Sequence, residues 1–391
     1  MIPVAEALER LFALVRPLPA ERVPLVSAHG RVTTGPITAL YTQPPFAASA
    51  MDGYAVAGDP APGDSFTVIG EAAAGHPFPG TCGPGQAVRI FTGAPMPDGA
   101  DRVLIQEDVD RNGDRIILRE NADRGRHVRP AGGDFSAGDT LPAPRRLGAR
   151  DVALIAAMGH AEVEVARRPE VALIATGDEL VPPGTPPGPG QITASNGHGL
   201  HARLAELGAR PRLLPIARDT EAALTQAFDL ARGADLIVTI GGASVGDHDL
   251  VAPVAERLGM DRAFYKIAMR PGKPLMAGRM GEALVVGLPG NPVSSMVCAE
   301  VFLRPLLAAM QGLPPAPVPT ETHPLAHAMP EGGPRTHYMR GRFTARGVEV
   351  FDRQDSSLLT VLAEADLLAI RPIDAPPAAA GDPIEVIRLG R

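Results

Sequence analysis

Apolar residues in this chain gather into short unbroken runs that end abruptly in glycine-bearing polar turns. The run 237–240, Ile-Val-Thr-Ile, breaks into Gly241-Gly242-Ala243-Ser244-Val245-Gly246-Asp247-His248-Asp249. Residues 170–175 end in Thr176-Gly177-Asp178-Glu179-Leu180, and residues 283–287 end in Leu288-Pro289-Gly290-Asn291-Pro292-Val293-Ser294. A strand with one solvated face alternates apolar and polar positions. These runs do not, so they predict strands buried on both faces, as in a parallel sheet. Between them, 196–207 and 220–231 have helical texture, the second with Thr220 as N-cap and Glu221 in its first turn. Strand and helix in alternation predict an α/β domain over 169–312. Pro292 suits the first turn of a following apolar helix that continues through 296–307.

The rest of the chain has a different texture. Residues 3–15 form an amphipathic helix, with Val4, Leu8, Leu11, Phe12 and Val15 on one stripe. A helix over 149–158 and a strand over 161–165 are predicted next to a loop after Asp139, so 1–40 with 137–168 is expected to form one discontinuous helical and extended domain. Residues 41–136 are turn-rich with short strands at 87–91 and 102–107, which predicts a small β-rich domain. A proline-rich link over 313–319 closes the α/β domain, and 320–391 is expected to be a small β barrel or sandwich. At 391 residues the chain is too long for one ordinary core.

Composition narrows the function. A net charge of −7 argues against a broad nucleic-acid surface while leaving room for a local basic pocket. With no apolar run of eighteen residues and no basic-then-apolar start to the chain, neither a membrane span nor secretion is expected, and a cytoplasmic location is. The two cysteines, Cys82 and Cys298, share no zinc-like spacing, and Cys298 reads as a small buried thiol. The 43 glycines and 42 prolines are spread through the chain, which favours many turns over a disordered segment.

The chemistry lies in the turns. At the carboxyl end of a parallel strand, glycines let backbone N–H groups approach an anion, and this rim is where open α/β sheets bind ligands. Ser244 adds a hydroxyl; Asp247 and Asp249 add carboxylates of the kind that hold Mg²⁺ beside phosphate oxygens. Arg270 and Lys273 flank Pro271-Gly272, a rigid turn able to present two cations to one oxyanion, with Lys266 a weaker member of the set. Further polar clusters are Asp52 in Met51-Asp52-Gly53-Tyr54, Thr92 in Phe91-Thr92-Gly93, and Arg129 with Asp134 around Pro130-Ala131-Gly132-Gly133. Each of these, taken alone, is also ordinary turn chemistry.

Taken together the segments MDGYAV, RIFTGAPMP, RPAGGDFSAGD, ATGDEL, TIGGASVGDHD, AMRPGKP, LPGNPVSS and YMRGRF stand in the order found in the MoeA/gephyrin E-domain family, and the resemblance covers nearly the full chain. It implies a multidomain α/β plus β protein: a MoaB/Mog-like molybdopterin-binding α/β domain, two β-rich domains and a discontinuous helical and extended domain, paired as a homodimer. It implies a molybdopterin molybdenumtransferase, which inserts molybdenum from molybdate into adenylylated molybdopterin and releases AMP with Mg²⁺ assisting. Every reacting partner is an anion. Positioning and charge neutralisation are then the work required, and no protein nucleophile is needed.

The resemblance also assigns residues. Gly241, Gly242 and Ser244 would cradle the phosphates, with Asp249, Asp247 and Glu179 at Mg²⁺ and Asp178 on the same rim. Asp52, Thr92, Arg129 and Asp134 match cleft motifs that would approach from the other subunit. Asp219 matches an acidic family position, although it also reads as a helix N-cap region. Pro289, Asn291, Pro292 and Ser294 border the substrate, and Arg270, Lys273, Arg340 and Ser356 resemble molybdate contacts. Arg270 replaces the more frequent lysine, Asp355 and Ser357 flank Ser356 where glycine is common, and Asp366 replaces asparagine. These departures bear on molybdate affinity. A molybdopterin adenylyltransferase is an expected docking partner. Two other readings stand beside this one: a Mog-type adenylation enzyme, against which the added β domains speak, and a pterin-binding or partner-binding scaffold without turnover.

Overall fold

The structure is a computed structural model and describes residues 1–242 and 250–390. At its centre lies a six-stranded sheet in the order Arg210–Leu213, Glu170–Ala175, Leu236–Ile240, Ala283–Leu288, Met276–Met280, Met260–Tyr265. The first four strands are parallel, and Met276–Met280 runs antiparallel to both of its neighbours. Every residue of Leu236–Ile240 is buried, as its unbroken apolar run requires.

Helices cover both faces. Asn196–Glu206 and Pro292–Cys298 pack on one, and Glu221–Leu230 and Val251–Arg257 on the other. The Thr220 Oγ1 accepts from Ala223 N at 3.2 Å, so the expected N-cap is formed. The helix opened by Pro292 runs on through a π-helical stretch, Ala299–Leu303, to Met310. This corrects the expectation that no run of eighteen residues is apolar enough to span a membrane. Pro292–Met310 has nineteen residues and a mean hydropathy of 1.5, but its most apolar window is 83% buried inside the protein. Its length serves the core, where Val297, Phe302, Leu306 and Leu307 meet the sheet.

The amino-terminal helix, Val4–Ala13, buries Ala7, Leu8 and Leu11 in this same core. Only after it does the chain turn to a separate cluster, built from Leu25, Ile37, Phe135, Leu141, Leu147, Ile155, Met158 and Val165. There the strand Ala20–Pro24 pairs antiparallel with Glu162–Ala166, closing the discontinuous unit. The segment between carries a six-stranded sheet in the order Arg102–Ile105, Gly53–Val56, Gln86–Ile90, Ser65–Ala72, Arg115–Leu118, Val109–Asn112.

The last sheet contains Thr336–Thr344, Leu367–Arg371, Pro383–Arg388 and Glu321–Pro324 in that order, with Gly347–Val350 beside the first. It takes one strand from outside its own stretch of chain. Met269–Arg270, which leaves the central sheet after Met260–Tyr265, pairs parallel with Thr336–Thr344, setting Arg270 opposite His337. This pairing places the carboxyl-terminal sheet against the rim of the central one.

Candidate active site

The parallel strands run 210–213, 170–175, 236–240, 283–288 across the sheet, so the chain reverses its direction of progress between Glu170–Ala175 and Leu236–Ile240. Such a switch point opens a crevice at the carboxyl ends of the two strands. The crevice is present: a cleft of about 850 Å³ is lined by Thr176, Gly177, Glu179, Asp219, Gly241 and Gly242, and by Arg270, Lys273, Arg335, Asn291, Ser294 and Ser356 among others.

Backbone geometry at its floor demands the glycines. Gly241 has φ +94° and Gly242 φ +60°. A Cβ on Gly241 would lie 2.8 Å from the Thr176 carbonyl oxygen, and one on Gly242 would collide with Val251 Cγ2. A Cβ on Gly290 would meet the Gly241 Cα at 3.5 Å, so the two turns are neighbours. The three glycine-bearing strand ends therefore converge, as their shared design predicts. Ala243 to Asp249 lie outside the described residues, so Ser244, Asp247 and Asp249 stand as expectations from the sequence.

Sheet order separates the charges. Asp219 and Glu179 follow the strands 210–213 and 170–175 at one end of the sheet, whereas Arg270 and Lys273 come from the connection between Met260–Tyr265 and Met276–Met280 at the other. The Arg270–Lys273 turn is fixed by a close approach: Gly272 has φ +110°, and a Cβ there would lie 2.5 Å from Cys298 Sγ. Cys298 is fully buried, which pushes its thiol pKa far up, in keeping with the inert packing thiol that its sequence context predicts.

The opposite wall comes from the carboxyl-terminal sheet. Asn291 Nδ2 donates to Ser356 Oγ at 3.0 Å, and Val293 N donates to Ser356 O at 3.0 Å, so the 354–357 loop is sewn to the start of the Pro292–Cys298 helix. Arg340 lies behind that loop and does not line the cleft. It is 1% exposed, its N–H and Nε donate to Gln354 Oε1 at 3.0 and 3.2 Å, and its Nη1 donates to Asp355 O at 2.9 Å. Asp355 directs its carboxylate back onto Ser357, accepting from its hydroxyl at 2.6 Å and its N–H at 2.8 Å. Those bonds, with Arg340 nearby, hold its pKa below the usual carboxylate range. The acid at 355 thus has hydrogen-bond donors and a cation of its own close by.

Among the described residues, Asp52, Thr92, Arg129 and Asp134 do not line the cleft. They belong to a second polar surface on the β-rich unit. Asp52 Oδ1 accepts from both the N–H and the hydroxyl of Thr92 at 2.8 Å, and these bonds, with Arg89 beside them, hold its pKa down. The adjoining pair Val128–Arg129 and Ala48–Ser49 brings the exposed Arg129 to the same region, and Asp134, also exposed, is tied to Gln43 O by its N–H at 3.0 Å.

Three lining or bordering residues carry signals that the motifs alone do not single out. Thr176 is 4% exposed and its Oγ1 has no hydrogen-bond partner among the described residues, although it lies beside the Gly241-Gly242 turn. Arg335 lines the cleft, and His337, which does not, is the register partner of the lining Arg270. A threonine that opens Thr-Gly-Asp and a histidine two residues after an arginine are ordinary in a linear reading. Only the folded register gives them neighbours.

Comparison with known proteins agrees with this architecture. Family profiles match the MoeA N-terminal region (domain I and II) at residues 2–159, a probable molybdopterin binding domain at 172–309, and the MoeA C-terminal region (domain IV) at 322–389. The molybdopterin molybdenumtransferase of Nostoc sp. is 33% identical, with 100% of this chain and 94% of that protein covered. That of Synechococcus elongatus is 36% identical with both chains fully covered. The crystal structure of the molybdopterin biosynthesis MoeA protein from Pyrococcus horikoshii OT3 superposes over 100% of both chains with a TM-score of 0.86 at 26% identity. The strand-end glycine turns, the switch-point cleft and the full-length likeness converge: the chain belongs to the MoeA family of molybdopterin molybdenumtransferases.

Proposed function

We propose that the switch-point cleft binds adenylylated molybdopterin and molybdate end to end, so that molybdenum passes into the pterin dithiolene and AMP leaves. The observation that carries this reading is the division of charge along one cleft. Glycine N–H groups and the carboxylates Glu179 and Asp219 stand at one end, and Arg270, Lys273 and Arg335 at the other.

The backbone at Gly241 and Gly242 has the open geometry that phosphate oxygens require, and Ser244 would extend that cradle. Asn291, Pro292, Ser294 and the Pro289-Gly290 turn border the substrate between the two ends, with Ser356 held to Asn291. Arg270 and Lys273 neutralise the molybdate dianion in a cleft where water is partly excluded, and there fixed cations act more strongly than in bulk solvent. Arg340, buried behind Gln354 and Asp355, shapes this end through the loop that carries Ser356. No side chain needs to attack the substrate, since the sulfurs that capture molybdenum belong to the pterin.

Glu179 and Asp219 offer the hard oxygen donors that Mg²⁺ takes, and Mg²⁺ ordinarily uses one or two carboxylates together with substrate phosphate oxygens, so the residues present fit it. Asp249 and Asp247 would complete that set. When bound, Mg²⁺ supplies charge neutralisation on the pyrophosphate. Asp52, Thr92, Arg129 and Asp134 form a polar surface that would reach a cleft across a homodimer. We assign the chain to the cytoplasm, with a molybdopterin adenylyltransferase as the partner that delivers its substrate. The domains are taken as 1–40 with 137–168, 41–136, 169–312 and 320–391, with the helix Val4–Ala13 of the first packed into the core of the third.

The test is AMP release from adenylylated molybdopterin with Mg²⁺, with and without molybdate, while molybdenum in the pterin is followed. Molybdate-dependent AMP release that Asp249→Ala abolishes is the expected result. Tight pterin binding with neither event would replace the transferase reading by a scaffold, and consumption of ATP would point to adenylation.

A further inference from the structure

Beside Arg270, at the basic end of the cleft, stands a titratable group that no step above uses. In the carboxyl-terminal sheet, Arg270 and Arg371 are the register partners of His337 on its two sides, so the three side chains lie in a row on one face. Arg335, just before this strand begins at Thr336, lines the cleft, as Arg270 does, and its charge reaches His337. The His337 Nε2 is buried and has no hydrogen-bond partner among the described residues. Arg340 Nη2, on the same strand, is likewise buried and without one. Arg371 is engaged elsewhere, since its Nη2 donates to Pro330 O at 2.9 Å and Pro376 O at 2.6 Å. Asp355, which accepts from Ser357, acts on Arg340, whereas the charges that act on His337 are those of arginines.

We propose that His337 is a proton-linked neighbour of the oxyanion site: it is neutral beside Arg270 and Arg335 while the site is empty, and takes up a proton when a tetrahedral dianion such as molybdate binds there.

Burial, followed by the positive charges of Arg270, Arg340 and Arg335, lowers the His337 pKa to about 4. A dianion placed beside Arg270 and Arg335 offsets their positive field and favours the imidazolium. The bound protein therefore holds the proton at a higher pH than the free protein. Linkage then requires that binding take up a proton anywhere between the two pKa values, and that affinity rise as pH falls through that window. One linked proton limits the gain to about tenfold per pH unit. The imidazole proton comes from solvent, and molybdate itself remains MoO₄²⁻ throughout. Neutral when the site is empty, His337 spares the free protein a further buried charge beside three arginines. Protonated when the site is filled, it adds a cation only where an anion is present. The device would therefore favour dianions over monoanions of the same size.

This inference rests on the reading of Arg270 and Lys273 as the molybdate site, and the experiment separates the two. Molybdate is titrated into the full-length protein by calorimetry between pH 5.5 and 8, in buffer pairs of different ionisation enthalpy. The expected result is uptake of up to one proton per anion at the acid end and binding at least threefold tighter at pH 5.5 than at pH 7. In His337→Gln, which cannot titrate, both effects should vanish while affinity at pH 8 stays within about twofold of the parent. Histidine NMR of the unaltered protein gives a second readout that needs no variant, in which one of the ten imidazoles should titrate low and move up by more than one pH unit when molybdate saturates. Binding with no proton uptake, or with the same uptake in His337→Gln, overturns the role of His337 alone. Absence of any binding that Lys273→Ala weakens overturns the molybdate site, and this inference with it.

Discussion

Asn291 Nδ2 donates to Ser356 Oγ at 3.0 Å, joining the end of a central-sheet strand to a loop of the carboxyl-terminal sheet. Neither residue makes a wall of the cleft alone. The bond fixes the distance between the helix that begins at Pro292 and the loop that Arg340 braces from behind. An exposed hydrogen bond of this kind contributes about 0.5–1.5 kcal/mol, which corresponds to roughly 3- to 10-fold in binding. We expect Asn291→Ala to raise the molybdate concentration needed for half-maximal molybdenum insertion by that factor, with little loss of thermal stability. A fall in stability without any change in molybdate dependence would show that the bond serves only the fold.

Gly272 holds the Arg270–Lys273 turn against Cys298. Its φ of +110°, and the 2.5 Å that would separate a Cβ at this position from Cys298 Sγ, make alanine costly for two separate reasons. Gly272→Ala should destabilise the protein by about 2–4 kcal/mol in denaturant unfolding. Adding Cys298→Ala relieves the collision and leaves the backbone strain, so the double variant should be more stable than the sum of the two single effects. Strict additivity would mean that the two residues do not press on each other.

Asp52 is a stability group as well as a candidate for the reaction. Its pKa is depressed by the two Thr92 hydrogen bonds, so its contribution is complete above the unfolded value of about 4 and is lost as pH falls through the lower folded value. Asp52→Asn keeps an acceptor for Thr92 while removing the charge. We expect normal folding at neutral pH, a smaller dependence of stability on pH below about 4, and a drop of about 100-fold in AMP release. Retained AMP release would reduce Asp52 to a turn former.

A buried ion pair offers a test of the fold that is independent of the chemistry. Glu300, in the π-helical stretch, is 6% exposed and accepts from Arg203 Nε at 2.5 Å and Nη2 at 3.0 Å, with Arg304 Nη1 at 3.4 Å. Glu300→Ala leaves the partly buried Arg203 with Glu206 alone, to which its Nη1 donates at 2.9 Å, and should cost up to about 3 kcal/mol, whereas Glu300→Gln keeps an acceptor and should cost less. Equal losses, measured by urea unfolding, would mean that the charge itself matters more than the hydrogen bonds.

The strands of the central sheet are legible in the sequence because burial on both faces demands unbroken apolar runs, and their glycine turns are legible because a crowded strand end excludes Cβ atoms. Leu236–Ile240 and the Gly241-Gly242 turn show both rules at once. Long-range pairing is not legible in that way. Nothing local tells that Met269–Arg270 will leave its own sheet to join Thr336–Thr344, or that the helix Val4–Ala13 will bury Leu8 and Leu11 in the α/β core. Arg340 illustrates the limit from the other side. Its motif marks it as a contact for an anion, whereas the strand's pleat turns it beneath Gln354 and Asp355, where it braces the loop. His337 gains its setting only through the register that brings Arg270 alongside.

The most direct measurement compares pterin retention with molybdenum insertion in Lys273→Ala. If one cleft holds the phosphates at its glycine end and molybdate at its basic end, the variant should bind adenylylated molybdopterin within about threefold of the parent yet require at least about tenfold more molybdate to insert molybdenum. Loss of pterin binding in step with insertion, or insertion at unchanged molybdate, would contradict that division of the cleft.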